Sequence, residues 1–575
     1  MSTTQKYLYI HNIENCVSGR HINVKVCEMI ARWCQDIGTP FVAGIPGNGI
    51  LEIIDKLETD TDVPFILTRH EQGASMMAYS YAFQTKNPAV VVGSKAPGAT
   101  NLSIGVMGAF VESLPMMVIT AQVSNAHEGY EAFEEIDLAA LFKPITKWSV
   151  QVNNPSRTLE ILNEAYRITM SGRPGPVHVA IPYNFMQLEA GSYVRPTLPT
   201  TQSSLRNEVS DIVHLLDTAT RPVVIVGGGL PPTNAVDVLA IADTIGAPIV
   251  ESWLRKPIPD RHPLCVGMAG IGGSPAAQHA IHDADVALVL GCRFSEQMTE
   301  HYTMNFAPDA KLIHIDVDPG VIGRVYPVHL GVQANLQDVL PELREAVQST
   351  GKSHRDRGKS DWLQSLQREQ LAYLESLAAY TRDDVSPQGR YVVQQLRELL
   401  DDDTHLVLDS GNYLHWAEQY FSVNQPGLFH YPTSGTMGFG IPGAIGAKIA
   451  FPDLFVCALV GDGGFAMTMG ELETALRIGT PILVVIINNG TLGHIRVRQE
   501  VNFHGRCVGV NFSEQHFAHV AEAFGAYGVE VNRTSEVRGV LTDAISAVRS
   551  GRCAVVDVHV SSEMADAPIV RWWSS

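Results

Sequence analysis

Residues 454–492 set the tightest limit on what this chain can fold into. Residues 454–460 are apolar and β-prone, as a strand buried on both faces must be. Gly461-Asp462-Gly463-Gly464 then reads as a tight turn, and residues 469–478 repeat their apolar positions at helical period. Thr480-Pro481 ends that helix, and residues 482–487 form a second apolar run closed by Asn488-Asn489. Two buried strands joined through a helix must lie parallel, because a crossover of this length cannot make a hairpin. The fold is therefore an open α/β sheet, in which ligands sit beyond the carboxyl ends of the strands.

The residues at those ends have a common chemistry. Gly461, Gly463 and Gly464 let backbone N–H groups approach a diphosphate with no Cβ in the way. Asp462 offers a hard anionic oxygen and Asn489 a neutral amide oxygen, the ligand types Mg²⁺ prefers when it also binds substrate phosphates. Taken alone, G-D-G is equally well an ordinary strand-to-helix turn. Its pairing with N-N across 27 residues, with a helix and a strand between, is far more specific.

The same unit recurs along the chain. Strands are expected at residues 41–44, 65–68, 89–92, 116–120 and 176–181. The loops after them hold Ile45-Pro46-Gly47, Arg69-His70-Glu71, Ser94 to Asn101, and Ala121-Gln122. A polar, proline-bearing stretch at 186–205 reads as a linker, and a charged, glycine-punctuated one at 348–361 as a second. Between them, strands at 223–226, 286–290 and 312–317 form a central block, whose Gly227-Gly228-Gly229 suits a nucleotide or a structural turn equally well. A third block, from about residue 385, holds Asp409 to Tyr413, residues 433–446 and the stretch described first. The expected architecture is α/β, three doubly wound parallel-sheet domains over 20–188, 206–348 and 385–560, with a tail at 561–575.

Composition narrows the partners. A formal charge of −19 over 575 residues argues against nucleic acid and against an anionic membrane surface. The eight cysteines include no C-x-x-C pair and sit mostly in apolar runs, as buried free thiols do in a reducing compartment. No signal peptide and no transmembrane run is evident, so a cytoplasmic location is expected. The aromatic end of the tail, Trp572-Trp573, is expected to pack on something.

Six ordered motifs carry a family resemblance: G-I-P-G-N-G from Gly44, R-H-E-Q-G-A from Arg69, A-P-G-A-T-N from Ala96, G-Y-E-A-F-E-E from Gly129, G-T-M-G-F-G-I-P-G-A from Gly435, and G-D-G with N-N. With these motifs the chain resembles the thiamine-diphosphate-dependent enzymes of the acetolactate synthase and pyruvate oxidase group, over roughly residues 22–560. The resemblance implies an aminopyrimidine-binding domain, a central domain and a diphosphate-binding domain, with thiamine diphosphate and Mg²⁺ as cofactors. Glu71 would be the cofactor-activating carboxylate, bonded to a ring nitrogen of the aminopyrimidine. Met437 would be the apolar wedge that bends the cofactor, with the Gly435 carbonyl accepting from its amino group. Asp462, Asn489 and the Thr491 carbonyl would hold the metal. Pro46, Gly47, Gly411, Asn412 and Tyr413, with Gly461, Gly463 and Gly464, would line the cofactor. Each site would be built across two subunits of a homodimer or homotetramer.

The chain also departs from that pattern. Arg498 stands where acetolactate synthases carry a tryptophan, and His494 where a methionine is usual. The two are four residues apart on one helical face, which serves an anionic substrate group or simply faces solvent. Glu134 follows Phe133 where glutamine is common, and Ala96 replaces a glycine. Gln122, Phe133, Glu134, His494 and Arg498 are thus the candidate substrate residues. In the central domain G-C-R-F-S-E-Q and H-I-D-V-D-P resemble flavin-binding segments, yet FAD, ADP or an empty domain all remain open. The expected activity is carbon–carbon cleavage and formation on 2-oxo acids. Alternatives are a 2-hydroxyacyl-CoA lyase, an oxalyl-CoA-type decarboxylase, or acetyl transfer from sulfoacetaldehyde.

Overall fold

The computed structural model describes residues 23–195, 206–350, 361–378 and 386–560. Cys16, both expected linkers in large part, and the tail with Trp572-Trp573 lie outside the described residues. Three six-stranded sheets form, each with all neighbours parallel.

The first sheet runs Phe65–Leu67, Val42–Gly44, Ala89–Gly93, Met116–Gln122, Pro176–Pro182 and Trp148–Gln151 in spatial order. The third runs Phe429–His430, His405–Leu408, Val456–Gly461, Leu483–Asn488, Ala554–His559 and Tyr527–Val531. Numbered by chain order within each sheet, both read 2-1-3-4-6-5. The central sheet, Cys265–Met268, Ile249–Glu251, Pro222–Val226, Val286–Leu290, Lys311–Asp316 and Leu330–Gln333, reads 3-2-1-4-5-6. In each sheet the chain winds outward from strand 1 in both directions, which opens a crevice at the carboxyl ends of two neighbouring strands. The first and third sheets open theirs between strands 1 and 3, beside the residues expected to bind the cofactor.

Internal contacts divide the chain into two compact units. One takes in Met1–Ala78, Asn87–Phe110 and Leu114–Pro199; the other takes in Tyr79–Lys86, Val111–Ser113 and Thr200–Ser575, and so holds the central and third sheets together. The inner strands of each sheet are buried on both faces, which is why they are nearly continuous apolar runs. In the first unit Val26–Asp36 turns Met29, Ile30 and Trp33 into that core.

Three details differ from expectation. The stretch read as the first linker begins with a strand, Glu189–Ser192, which pairs antiparallel with Asn23–Lys25 and staples the two ends of the first unit. The helix expected at 469–478 is Glu471–Arg477, and a second helix, Asp462–Thr468, precedes it where a tight turn was expected. Asp462 therefore opens a helix rather than sitting inside a free turn. Asp361–Ala378, outside any expected block, is a helix that packs on the central sheet's loops, with Gln367 Nε2 donating to the Pro263 carbonyl at 2.9 Å.

Candidate active site

The third sheet gathers the diphosphate-type residues at its switch point. Gly461 ends one strand and Asp462 follows it, buried. One oxygen of Asp462 accepts from the Gly463 N–H at 2.7 Å, and the other from the Thr491 N–H at 3.1 Å. The same Thr491 N–H lies 3.3 Å from Asn489 Oδ1, so the two expected metal ligands converge on one group. No cationic side chain among the described residues pairs with Asp462. Burial pushes its carboxyl up to about 6 against those backbone donors. A buried carboxylate beside an amide oxygen, with no cation of its own, is a donor set suited to a hard cation.

The first asparagine of the N-N pair is not available to a ligand. Asn488 gives its amide to the buried Asp557 at 3.0 Å, and Asp557 also accepts from the Phe517 N–H. Nearby, Tyr413 lays its ring across the backbone of both turns: a Cβ on Gly411 would fall 2.3 Å from that ring, and one on Gly461 3.0 Å. Only glycine fits at Gly411. Asn412 Oδ1 is buried with no hydrogen-bond partner among the described residues, a polar atom that a ligand or water must satisfy.

The loop bearing Gly435 and Met437 is held by residues the sequence did not single out. Asp409, fully buried at the end of the neighbouring strand, accepts from the Gly438 N–H and the Gly440 N–H, each at 3.0 Å. Burial raises its carboxyl to about 6. A Cβ on Gly464 would come within 2.9 Å of the same carboxylate. At the head of the loop, Thr433 gives its N–H and hydroxyl to Glu112 Oε1 at 2.6 and 2.8 Å, and Arg255 reaches that oxygen at 2.8 Å. Nothing in the local sequence marks these partners, because they come from distant segments.

In the first unit, Glu71 opens the helix Glu71–Thr85 and is buried. Asn101 Nδ2 donates to its Oε2 at 3.0 Å. A Cβ on Gly98 would lie 3.1 Å from Glu71 Oε1 and 2.6 Å from Ser94 Oγ, so the A-P-G-A-T-N turn sits directly against the carboxylate. Gly47 closes on Ser94 in turn, its Cβ position being 2.7 Å from the serine Cβ. Pro46, beside it, is exposed. Three of the six motifs thus meet at the carboxyl edge of this sheet.

The candidate substrate residues fall into two groups. Gln122 is buried and already engaged: its amide donates to the Ile136 carbonyl at 2.9 Å and its oxygen accepts from the Val123 N–H. It pins the loop that carries Phe133, which is 81% exposed, and Glu134. Glu134 pairs with the buried Lys95 at 2.9 Å. On the helix Gly493–Asn502 of the second unit, His494 stacks at 6.5 Å on His415 from Tyr413–Tyr420, while Arg498 is exposed. Burial, then the nearby His415 and Arg498, press His494 down to about 4.

In the central sheet the triple glycine is accounted for by protein alone. A Cβ on Gly227 would meet the Gly291 carbonyl at 2.2 Å, and one on Gly229 the Gly291 Cα at 2.9 Å. Close packing of two backbone turns therefore explains the motif without a nucleotide. All seven described cysteines are free and six of them are buried. No helix of the described residues is long and apolar enough to cross a membrane.

Comparison with known proteins adds a consistent set of matches. Residues 24–141 match the N-terminal TPP binding domain of thiamine pyrophosphate enzymes, 209–343 their central domain and 409–558 their C-terminal TPP binding domain. The chain is 32% identical over 562 residues to the acetolactate synthase large subunit of Corynebacterium glutamicum, spanning 95% of this chain and 88% of that one. It is 32% identical over 547 residues to the acetolactate synthase isozyme 3 large subunit of Escherichia coli, spanning 93% and 94%. A probable acetolactate synthase large subunit of Methanocaldococcus jannaschii is 32% identical over 540 residues, spanning 91% and 90%.

Proposed function

The chain belongs to the thiamine pyrophosphate enzymes of the acetolactate synthase group, and on that basis we propose that it is a carboligase that decarboxylates one 2-oxo acid and joins the remaining fragment to a carbonyl acceptor. The observation that carries the reading is Asp462, buried without a cation and sharing the Thr491 N–H with Asn489. The relatives named above are all acetolactate synthases by name, which gives the thioester and sulfoacetaldehyde alternatives no support.

Thiamine diphosphate, when bound, supplies an electron sink for the carbon that loses its carboxylate. The chain's own residues do the rest. Asp462, Asn489 and the Thr491 carbonyl would hold Mg²⁺, the counter-ion of the cofactor's diphosphate. Gly463, Gly464 and Asn412 would line the diphosphate. Glu71 would hydrogen-bond the aminopyrimidine ring nitrogen. Asn101 occupies its Oε2 and fixes the carboxylate's orientation, leaving Oε1 toward Gly98. Met437 and Gly435 would shape the cofactor, on a loop tethered by Asp409. Arg498 presents its guanidinium to an anionic substrate, with the neutral His494 beside it on the same helix face.

Glu71 and Asp462 belong to different domains, and two subunits supply them to each site, so the active species is a homodimer or a homotetramer of such pairs. Glu71→Gln tests the reading. Turnover of pyruvate is expected to fall by at least about a thousandfold, within the range for a general acid–base group. Thiamine diphosphate affinity, followed by tryptophan fluorescence, is expected to stay within a few-fold. Wild-type turnover in that variant would rule the assignment out.

A further inference from the structure

We propose that Lys95 is the anchor for the carboxylate of the acceptor substrate, with Glu134 as a built-in competitor that holds the lysine until an anion arrives. The inference rests on the carboligase reading above and names the charge class of its second substrate.

Lys95 lies inside the first unit at the carboxyl edge of the sheet, only 7% exposed. It follows Ser94, whose hydroxyl would touch a Cβ on Gly98 at 2.6 Å, where Glu71 Oε1 stands at 3.1 Å. The ammonium is thus one residue from a turn that packs on the cofactor-activating carboxylate. Its oxygen partners are Glu134 Oε2 at 2.9 Å and the Phe133 carbonyl at 3.5 Å. An ammonium has three protons to donate. One therefore lacks an acceptor among the described residues. Aromatic faces complete the surroundings, with Phe133 at 5.3 Å and Tyr183 at 6.0 Å from Nζ.

A buried ion pair is a poor device for stability, because desolvation offsets most of its attraction. In this one Glu134 also holds φ at +65°, a conformation that side-chain-bearing residues rarely adopt. Strain of this kind, in a loop whose Phe133 is exposed, fits a contact made to be exchanged. A substrate carboxylate replaces the Glu134 carboxylate oxygen for oxygen, so the lysine is never left bare.

The reaction decides which carboxylate. A fixed cation on the departing carboxylate would hold back its charge as carbon dioxide leaves, which opposes decarboxylation. The carboxylate of the acceptor is retained throughout, and an anchor there costs the reaction nothing. Lys95 is therefore assigned to the acceptor 2-oxo acid.

The test uses the full-length holoenzyme with pyruvate as donor, against 2-oxobutyrate and an uncharged aldehyde as competing acceptors. In Lys95→Met the ratio of 2-oxo-acid-ligated to aldehyde-ligated product is expected to drop at least tenfold, and Lys95→Arg to restore most of it. Glu134→Gln is expected to lower the KM for the 2-oxo acid acceptor several-fold. An unchanged product ratio in Lys95→Met overturns the anchor. An unchanged or raised acceptor KM in Glu134→Gln overturns the competition. If wild-type enzyme consumes no 2-oxo acid at all, the carboligase reading itself has failed, a separate outcome from either.

Discussion

Single residues in this protein are most informative where burial and charge conflict. Asp462 and Asp409 are buried carboxylates, yet their partners differ. Asp409 is satisfied by backbone N–H groups on a loop that must be held still. Asp462 has backbone donors too, but sits where a cation fits. His178 shows the opposite case, a buried base kept neutral. Its ring nitrogens face the hydroxyls of Thr120 and Ser149, each at 2.8 Å, and it stacks on Phe142 at 4.2 Å. Burial lowers its pKa from 6.5 to about 3. The stabilisation from folding it neutral is complete above pH 6.5 and is lost as pH falls toward 3. One excluded proton corresponds to a slope of about 1.4 kcal/mol per pH unit within that window. His178→Gln should remove that slope between pH 6.5 and 4.5, whatever it does to stability at neutral pH. Denaturation midpoints measured across that range for both proteins check it; parallel curves would refute the assignment.

At the scale of elements, the third sheet works by bringing turns from separated strands onto one edge. The G-T-M-G-F-G loop has no regular structure of its own at Gly435, where φ is +72° and nothing lies within reach of a Cβ. Its position is imposed from outside, by Asp409 on one side and by Glu112 with Arg255 on the other. Asp409→Asn would turn one accepting oxygen into a donor facing an N–H. A mispaired buried group costs about 1–3 kcal/mol, so cofactor affinity is expected to fall about tenfold or more. Far-UV circular dichroism should stay unchanged while fluorescence titration with thiamine diphosphate shifts. Affinity within twofold of wild type would mean that the loop holds itself. The motif in this loop was legible from residue types alone. Its tethers were not, since Asp409, Glu112 and Arg255 look like ordinary charged residues until the chain folds.

For the whole molecule, the proposed cofactor site would draw one half from each of the two sheets of identical strand order. The first would offer the carboxylate Glu71, the third the oxygen ligands Asp462 and Asn489. If subunits exchange these halves, two inactive variants should rescue one another. Glu71→Gln mixed with Asp462→Asn yields mixed dimers in which one of the two sites carries both substitutions and the other neither. After denaturation and refolding together, activity should return to about a quarter of wild type, from random pairing in a closed two-fold dimer. Each variant refolded alone should stay inactive. No rescue in the mixture would place Glu71 and Asp462 of one site on a single chain.

The sequence by itself determined the fold class and the glycine turns at the carboxyl edges of the parallel sheets. Fully buried parallel strands must be written as apolar runs, and strand-to-helix turns that approach a diphosphate or another backbone must be glycine. Those requirements are local, so they survive in the linear order of residues. The tertiary structure alone decided three other things. It gave Asn488 to Asp557 and left Asn489 for the site. It consumed Gly227 and Gly229 in packing against Gly291. It buried Lys95 against Glu134, 39 residues further along the chain. Each of these depends on which distant group arrives at a given atom. Hydrogen bonds and ion pairs between such groups follow from the path of the chain in space, which residue type and spacing do not record.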